Sequence, residues 1–503
     1  MIGRPLSDAI DARRPARPPA VHAAPVLPML SLLHAFDALV TAHPTLGAWL
    51  FAGWLAYLIG LGLWIVMQKR EPAATLAWLI SLAVLPYIGF LVYYVFGPQR
   101  IRRQRLRRGR ARARMPETSG SADAAESREL ARLGLATTRL PASTATDVQM
   151  LVDGNATYDA LCTAIAQAQE HVHLEYYIFE PDRTGTRVRD ALIERARAGV
   201  KVRLLVDAVG SAKLSARFLA PLTDAGGEVA WFHPMLARWR RPWLNLRSHR
   251  KIVIIDGRIG FTGGINVTDE EDEGLRADAY RDLHLRLEGD VVGSLQQVFL
   301  EDWIYATGQK PPSISRQDSV QGEVSTQVLV SGPDGPWEAI HRMHVSAIHG
   351  ARQRVWLATP YFVPGEAAMM ALTSAALAGL DVRLLVPRRS DSRLVTYAAR
   401  SYFDDLLAAG VRIHEYGPRL LHTKALLCDD EIAIIGSANF DHRSFRLNFE
   451  VSMLFRDAGI AATLADLLQH DMSQAPRVRP DRRRAFFRTK LPEALARLMS
   501  PLL

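Results

Sequence analysis

The sequence is poor in cysteine. Its 503 residues include only Cys162 and Cys428, too few for a disulfide framework or a thiolate zinc site. Both lie in apolar surroundings and read as small buried hydrophobes, so cysteine usage indicates a reducing or redox-indifferent compartment. Acidic residues are also in deficit: 52 Asp and Glu against 61 Lys and Arg leave a formal net charge of +9. That sign favours an anionic partner, whether nucleic acid, an anionic membrane surface or a phosphorylated substrate. Residues 1–26 hold Arg, Pro and Ala but no continuous apolar core, so they do not read as a cleavable signal peptide. A chain of this length has room for two or three domains with cores of their own.

Long apolar runs are present. Residues 48–67 and 73–97 are uncharged, and each reaches the roughly 20 residues that carry a helix across a bilayer. Trp49, Trp64, Tyr93 and Tyr94 stand near the run ends, where amphipathic rings favour the interface. Neither run shows the polar face expected of a core helix. We read residues 1–47 as an N-terminal arm and 48–98 as a two-helix transmembrane hairpin. Arg100, Arg102, Arg103, Arg105, Arg107, Arg108, Arg110, Arg112 and Arg114 follow it. The turn 68–72 carries far less positive charge, and the arm holds Arg13, Arg14 and Arg17. The positive-inside bias then places both ends in the cytoplasm. Beside a span, the arginine run is more simply a clamp on anionic headgroups than a nucleic-acid site, each Arg contributing on the order of 1 kcal/mol. Residues 99–146 read as this basic juxtamembrane segment and a linker, with a short helix through Glu129–Leu135.

From about 147 the pattern changes to alternating strands and amphipathic helices, and it occurs twice, over 147–312 and 325–503. Val202-Arg203-Leu204-Leu205-Val206 in the first half returns as Val382-Arg383-Leu384-Leu385-Val386 in the second. Strands alternating with helices at crossover spacing argue for α/β layers. The chemistry repeats too. His249-x-Lys251-x4-Asp256 leads to Gly263-Gly264-Ile265-Asn266, and His422-x-Lys424-x4-Asp429 leads to Gly436-Ser437-Ala438-Asn439 at the same intervals. Each motif sits on an expected hairpin with turns at Asp256-Gly257 and Asp429-Asp430. Alternate strand residues share a face, so each His points with its Lys. A phosphodiester anion requires fixed positive charge. At an effective dielectric near 20, a Lys about 4 Å away supplies roughly 4 kcal/mol of Coulomb attraction. One neutral imidazole can attack phosphorus while a protonated one serves the leaving alkoxide. No carboxylate cluster of metal-binding type is evident near the motifs.

The duplicated motif resembles the phospholipase D superfamily. Tyr280-Arg281-Asp282-Leu283-His284, the run Asn439–Glu450, the paired N-terminal spans and the terminal Ser500-Pro501-Leu502-Leu503 resemble its bacterial cardiolipin synthases. The resemblance implies an α/β fold: two pseudo-symmetric α-β-α sandwich halves sharing one active site, preceded by the hairpin. It implies His249, Lys251, His422 and Lys424 as catalytic, and Asn266 and Asn439 with the two lysines on the substrate phosphate. Asp256 and Asp429 complete the motif and are counted with the catalytic set, although their place at the strand end suits fixing a turn. Asp282 and Glu450 are assigned as carboxylates orienting the imidazoles, and the acidic insert Asp269–Glu273 as extra length. The implied reaction transfers a phosphatidyl group between two phosphatidylglycerols, with His249 favoured as nucleophile, His422 as acid, and neither metal nor cofactor. The implied setting is a bacterial inner membrane, with the catalytic halves facing the cytoplasm, anionic lipids as partners, no nucleic acid, and a homodimer left open. Hydrolysis, another phosphatidyl acceptor such as phosphatidylethanolamine, or a tethered nuclease are the rival readings. Trp231–Trp243, mixing aromatic and basic residues, is expected to form an interfacial loop. The basic tail Arg477–Arg488, with Phe486 and Phe487, and the helix to Met499 are also expected on the membrane.

Overall fold

The computed structural model describes residues 44–67, 75–76, 79–80, 128–233, 246–309, 320–481 and 484–500. It divides into two units, Met1–Tyr94 and Val95–Leu503, each considered by itself. In the first unit, helix α1 (Pro44–Val66) carries no charged residue and exposes Trp49, Leu55, Ile59, Leu63 and Trp64. Five of its side chains (44, 46, 47, 50 and 51) fall outside the described set. Among the described residues no helix is long and apolar enough to cross a membrane. The N-terminal arm up to 43, most of the second apolar run and the arginine run 100–114 also lie outside the described residues.

The second unit is built on two sheets of matching topology. The first comprises β1 (Asp147–Val152), β2 (His171–Tyr176), β3 (Lys201–Asp207), β4 (Glu228–Phe232), β5 (Ile252–Ile255), β6 (Ile259–Gly263) and β7 (Leu283–Glu288). Their order is β1-β7-β6-β5-β2-β3-β4. The second comprises β8 (Val324–Ser331), β9 (Arg354–Ala358), β10 (Asp381–Pro387), β11 (Arg412–Tyr416), β12 (Ala425–Cys428), β13 (Ile432–Gly436) and β14 (Asn448–Arg456). Its order, β8-β14-β13-β12-β9-β10-β11, is the same arrangement. The two copies of V-R-L-L-V fall at equivalent places on β3 and β10. In both halves the parallel trio β2-β3-β4 or β9-β10-β11 reflects helical crossovers, and the motif hairpin supplies the antiparallel neighbours.

Alternation along the motif strands creates the layers. Ile252 and Ile254 face a core shared by both halves, while Val253 and Ile255 face the first half's own core. Ala425 and Leu427 likewise face the shared core, and Leu426 and Cys428 the second half's own. Helices Val291–Thr307 and Ala458–Ser473 fill the shared layer between the sheets. The two halves are therefore welded by a common apolar layer. Cys428 is buried and Cys162 half-buried, both free thiols.

Two sequence expectations change. The linker proposed up to 146 is ordered from 128: helix Arg128–Thr138 leads to a strand, Ser143–Ala145, that pairs with the outer edge of β8. The Gln327 side-chain amide holds this segment by donating to the carbonyls of Ala131 (3.3 Å) and Leu140 (2.9 Å). The motif aspartates lie at the hairpin turns in the left-handed region, with φ of 51° at Asp256 and 53° at Asp429, which Asp tolerates better than most residues. Asp256 accepts the backbone N–H of Gln169, Glu170 and His171, each at 2.8 Å. Asp429 accepts those of Arg352 (2.8 Å), Gln353 (2.7 Å) and Arg354 (3.0 Å). Both carboxylates are committed to clamping the start of the neighbouring strand, so their place in the catalytic set is corrected to a structural one.

Asp256→Ala or Asp429→Ala removes three charge-assisted acceptor bonds and is expected to cost about 2 kcal/mol or more of stability. Chemical denaturation should show the loss, while the folded fraction keeps a turnover number near wild type. A stable but inactive Asp256→Ala enzyme would return this residue to the catalytic set.

Candidate active site

Each motif histidine is fastened by backbone to the other half. Arg247 and Ser248 run parallel to Asn448 and Phe449 at the start of β14, and the His249 amide donates to the Phe449 carbonyl at 2.9 Å. The mirror arrangement brings Arg281 beside Leu421. The Arg281 amide donates to Leu420 at 2.8 Å, and the His422 amide to Arg281 at 2.7 Å. The residues following these pairs are Glu450 and Asp282, so each half delivers its carboxylate to the other half's imidazole.

Glu450 Oε2 lies 3.0 Å from His249 Nδ1, and the Ser437 carbonyl lies 3.1 Å from the same nitrogen. A carbonyl can only accept, so Nδ1 carries the proton and neutral His249 keeps its lone pair on Nε2. Asp282 Oδ2 lies 2.6 Å from His422 Nδ1. Arg250, between His249 and Lys251, is almost fully buried. Its guanidinium pairs with Asp302 and donates to the carbonyls of Glu450 (3.2 Å) and Ser331 (3.4 Å). It pins the first motif to the second half's strands.

The two lysines are buried beside these pairs. Lys251 Nζ donates to the His249 carbonyl at 2.8 Å, and Lys424 Nζ lies 3.3 Å from Asp282 Oδ2 while also donating to the His422 carbonyl. Burial and then the Lys424 charge push Lys251 down to about 7. Lys424 is lowered by burial, against the pull of Asp282 and Glu271. Burial and the Lys424 charge push His422 down to about 4. His249 is lowered by burial, opposed by Glu450. Burial raises both orienting carboxylates, but His249 at Glu450, and Lys424 with His422 at Asp282, outweigh it and hold both below the usual range. The two buried ammonium groups repel each other and are offset by the ionised Asp282 and Glu450 carboxylates.

The halves differ where Gly264 corresponds to Ser437. A Cβ at 264 would lie 2.3 Å from both Asp282 carboxylate oxygens. The shorter Asp brings its carboxylate close to its own sheet, and only glycine leaves it space. Glu450 reaches farther, and Ser437 uses the room to donate its hydroxyl to Glu450 Oε2.

The asparagines differ too. Asn439 is buried and its Oδ1 has no hydrogen-bond partner. Asn266 is already engaged: Nδ2 donates to Glu271 Oε1 at 2.6 Å, its backbone N–H donates to Glu271 Oε2 at 3.0 Å, and Oδ1 accepts from Ile178 N–H at 3.2 Å. One Nδ2 hydrogen remains for a phosphate. Glu271 was missed by sequence reasoning, which took the acidic insert as extra length. It is buried, and burial followed by Asp282 pushes it up to about 7. Its signal was present, as an insertion in one copy of a repeat and not the other. Tyr177, whose ring lies 4.8 Å from His249 and 5.5 Å from Lys251 Nζ, was also missed.

Glu271, Asp282 and His422 offer ligand atoms within 4.8 Å of one another, a group that could hold a metal ion. The sequence, which separates them widely, did not suggest it. Asp282 and His422 are committed to each other, and the cation the group already has is the Lys424 ammonium. The expected interfacial loop mostly falls outside the described residues, at 234–245. Its first residues pack inward: Phe232 is buried in the shared core, and the His233 ring meets the Leu246 carbonyl (3.2 Å) and the Tyr305 hydroxyl (2.7 Å). Those residues therefore do not face lipid.

The family described as cardiolipin synthase, PLD-like domain, matches residues 161–303 and 345–472. A phospholipase D-nuclease N-terminal family matches 55–98. The chain is 41% identical over 469 residues to cardiolipin synthase 2 of Bacillus anthracis, covering 89% of this chain and 90% of that one. It is 38% identical over 508 residues to the cardiolipin synthase of Alkalihalophilus pseudofirmus, covering 95% and 99%. Among solved structures, phosphatidylserine synthase from Haemophilus influenzae aligns with a TM-score of 0.57 at 13% identity, over 75% of this chain and all of that one. That last likeness is one of fold.

Gly264→Ala is expected to displace Asp282, loosen His422 and lower kcat/KM by about 100-fold, with near-normal secondary structure by circular dichroism. Ser437→Ala, which removes one hydroxyl donor from Glu450, should cost about tenfold. Wild-type turnover by Gly264→Ala would contradict the steric argument.

Proposed function

The chain belongs to the cardiolipin synthase family of phospholipase D-like proteins, and from that premise we propose how its residues make cardiolipin. It is a phosphatidyltransferase acting on phospholipids such as phosphatidylglycerol. The crossed pairing of each imidazole with the other half's carboxylate is the observation that carries the reading. One phosphatidylglycerol places its phosphodiester between Lys251 and Lys424, and its charge relieves their repulsion. His249 Nε2 attacks phosphorus, the bond to glycerol breaks, and protonated His422 gives its proton to the departing glycerol oxygen. The phosphate's negative charge favours that proton on His422 by offsetting Lys424. Phosphatidyl-His249 remains. The headgroup hydroxyl of a second phosphatidylglycerol then gives its proton to neutral His422 and attacks phosphorus, and the bond to His249 breaks. One phosphodiester replaces another, so no nucleotide is consumed. Asn439 and Asn266 complete the phosphate contacts by donating from their Nδ2 groups, and no metal takes part.

The same reading places residues 48–67 and 73–97 as a transmembrane hairpin in a bacterial inner membrane, with the catalytic halves on the cytoplasmic side. The uncharged α1, the family match over 55–98 and the arginine-rich flank support it. One chain supplies both half-sites, so the reaction requires no second copy, and a homodimer is compatible with it. Nucleic acid has no role.

Full-length enzyme in detergent–phosphatidylglycerol micelles is expected to yield cardiolipin and equimolar glycerol. His249→Ala should form no phosphatidyl-enzyme, and His422→Ala should slow turnover by about 10²–10⁴-fold. Phosphatidic acid as sole product would make the enzyme a hydrolase on the same chemistry. Lys251 must be charged to hold phosphate and is pushed down to about 7, so affinity for phosphatidylglycerol should fall as pH rises through that value. Glu271 favours the charged Lys251; Glu271→Gln should therefore move this alkaline limb to lower pH, and an unmoved limb would sever the link.

A further inference from the structure

The last helical segment among the described residues is built inside out. After the turn Phe486–Lys490, helix Leu491–Leu498 packs on the second half. The side chains it turns inward are small or polar. Glu493 accepts from Arg484 at 2.6 Å, Ala496 is buried, and the Ser500 hydroxyl meets the Tyr402 hydroxyl at 3.0 Å. Arg484 also pairs with Asp404, and the Arg497 guanidinium lies 4.5 Å from the Tyr402 ring centroid. The side chains turned outward are the large apolar ones. Phe486 and Phe487 are 59% and 79% exposed, and Leu491, Leu495 and Leu498, spaced to share one helical face, are exposed with Met499. A helix on a water-exposed domain buries that face and presents the polar one. The charge pattern selects what covers it. Arg488 and Lys490 are exposed among these apolar residues, Arg497 lies 3.4 Å from Asp405, and the sole acid of 484–500, Glu493, is turned inward in its ion pair.

We propose that Phe486–Met499 is a membrane-docking surface of the catalytic halves, its apolar face entering the headgroup–acyl boundary of an anionic bilayer while Arg488 and Lys490 meet lipid phosphates. This rests on the reading that the substrates are bilayer lipids and adds a second contact, separate from the first 94 residues. Such a contact holds the second half at the surface where its substrates lie.

The test uses the full chain with Cys162→Ser and Cys428→Ala, and an environment-sensitive fluorophore on Phe487→Cys. A control carries the label on Leu377→Cys, at a position also strongly exposed. Both are reconstituted in phosphatidylcholine vesicles with increasing phosphatidylglycerol and shallow nitroxide-labelled lipid. The label at 487 is expected to be quenched several-fold more than that at 377, increasingly so with phosphatidylglycerol. Equal quenching overturns the proposal, as does a 487 signal that follows protein-to-protein ratio and cross-links copies of the chain. Leu495→Asp with Leu498→Asp should lower turnover of vesicle phosphatidylglycerol about tenfold while leaving turnover of detergent-dispersed short-chain phosphatidylglycerol unchanged; an unchanged vesicle rate, or an equal loss in both, also overturns it. Quenching at 487 by an enzyme that turns over no phosphatidylglycerol would leave this surface standing and the functional reading fallen.

Discussion

The hydrogen bond between an imidazole of one half and a carboxylate of the other is the constraint on which the site depends. His249 is oriented by Glu450, and His422 by Asp282. Neither half alone contains an oriented imidazole, so the chemistry is a property of the junction. The rest of the second unit serves that junction: the parallel backbone pairing at 247–249 with 448–449 and at 281 with 421, the buried Arg250, and the shared apolar layer. Misplacing a catalytic group by even 1 Å can cost about 100-fold in rate, which is why so many separate contacts converge on two side chains.

Placing lysines, histidines and carboxylates together out of water carries a large desolvation penalty, tolerable only when charges are paired. Here Asp282 and Glu450 offset the two lysines, and each carboxylate also holds an imidazole. The pseudo-symmetry gives both imidazoles this environment, and the departures from symmetry make them different. Ser437 reinforces Glu450 behind His249, whereas Lys424 and the neighbouring Glu271 load the His422 side with further ionisable groups. Two copies of one motif can thus take unequal parts in one reaction.

The repeat was legible because it is written in spacing: equal intervals from His to Asn, a shared pentapeptide, and strand–helix alternation. Asp282 and Glu450 were found by their place after each motif, but not their crossing, since chain order puts each nearest to its own half's histidine. Asp256 and Asp429 were grouped with the reactive residues by the motif's form, although turn chemistry already pointed elsewhere. Glu271 and the group it forms with Asp282 and His422 depend on tertiary approach, which periodicity cannot report. Composition likewise could not show that Arg128–Ala145 docks on the second half's sheet, because the amide that holds it, Gln327, lies far along the chain.

That docked strand affects how the protein comes into being. Ser143 meets Thr326 across 183 residues, so during synthesis the early strand emerges long before the edge it covers. The first sheet, β1 to β7, lies wholly between them in sequence and can form while this strand waits. When β8 appears, the segment preceding the first half closes on the first strand of the second. A chain broken off before β8 leaves that strand unmatched, and a second half made without it presents a bare sheet edge, a template for aggregation. Quality control therefore has a distinct feature to recognise in either fragment.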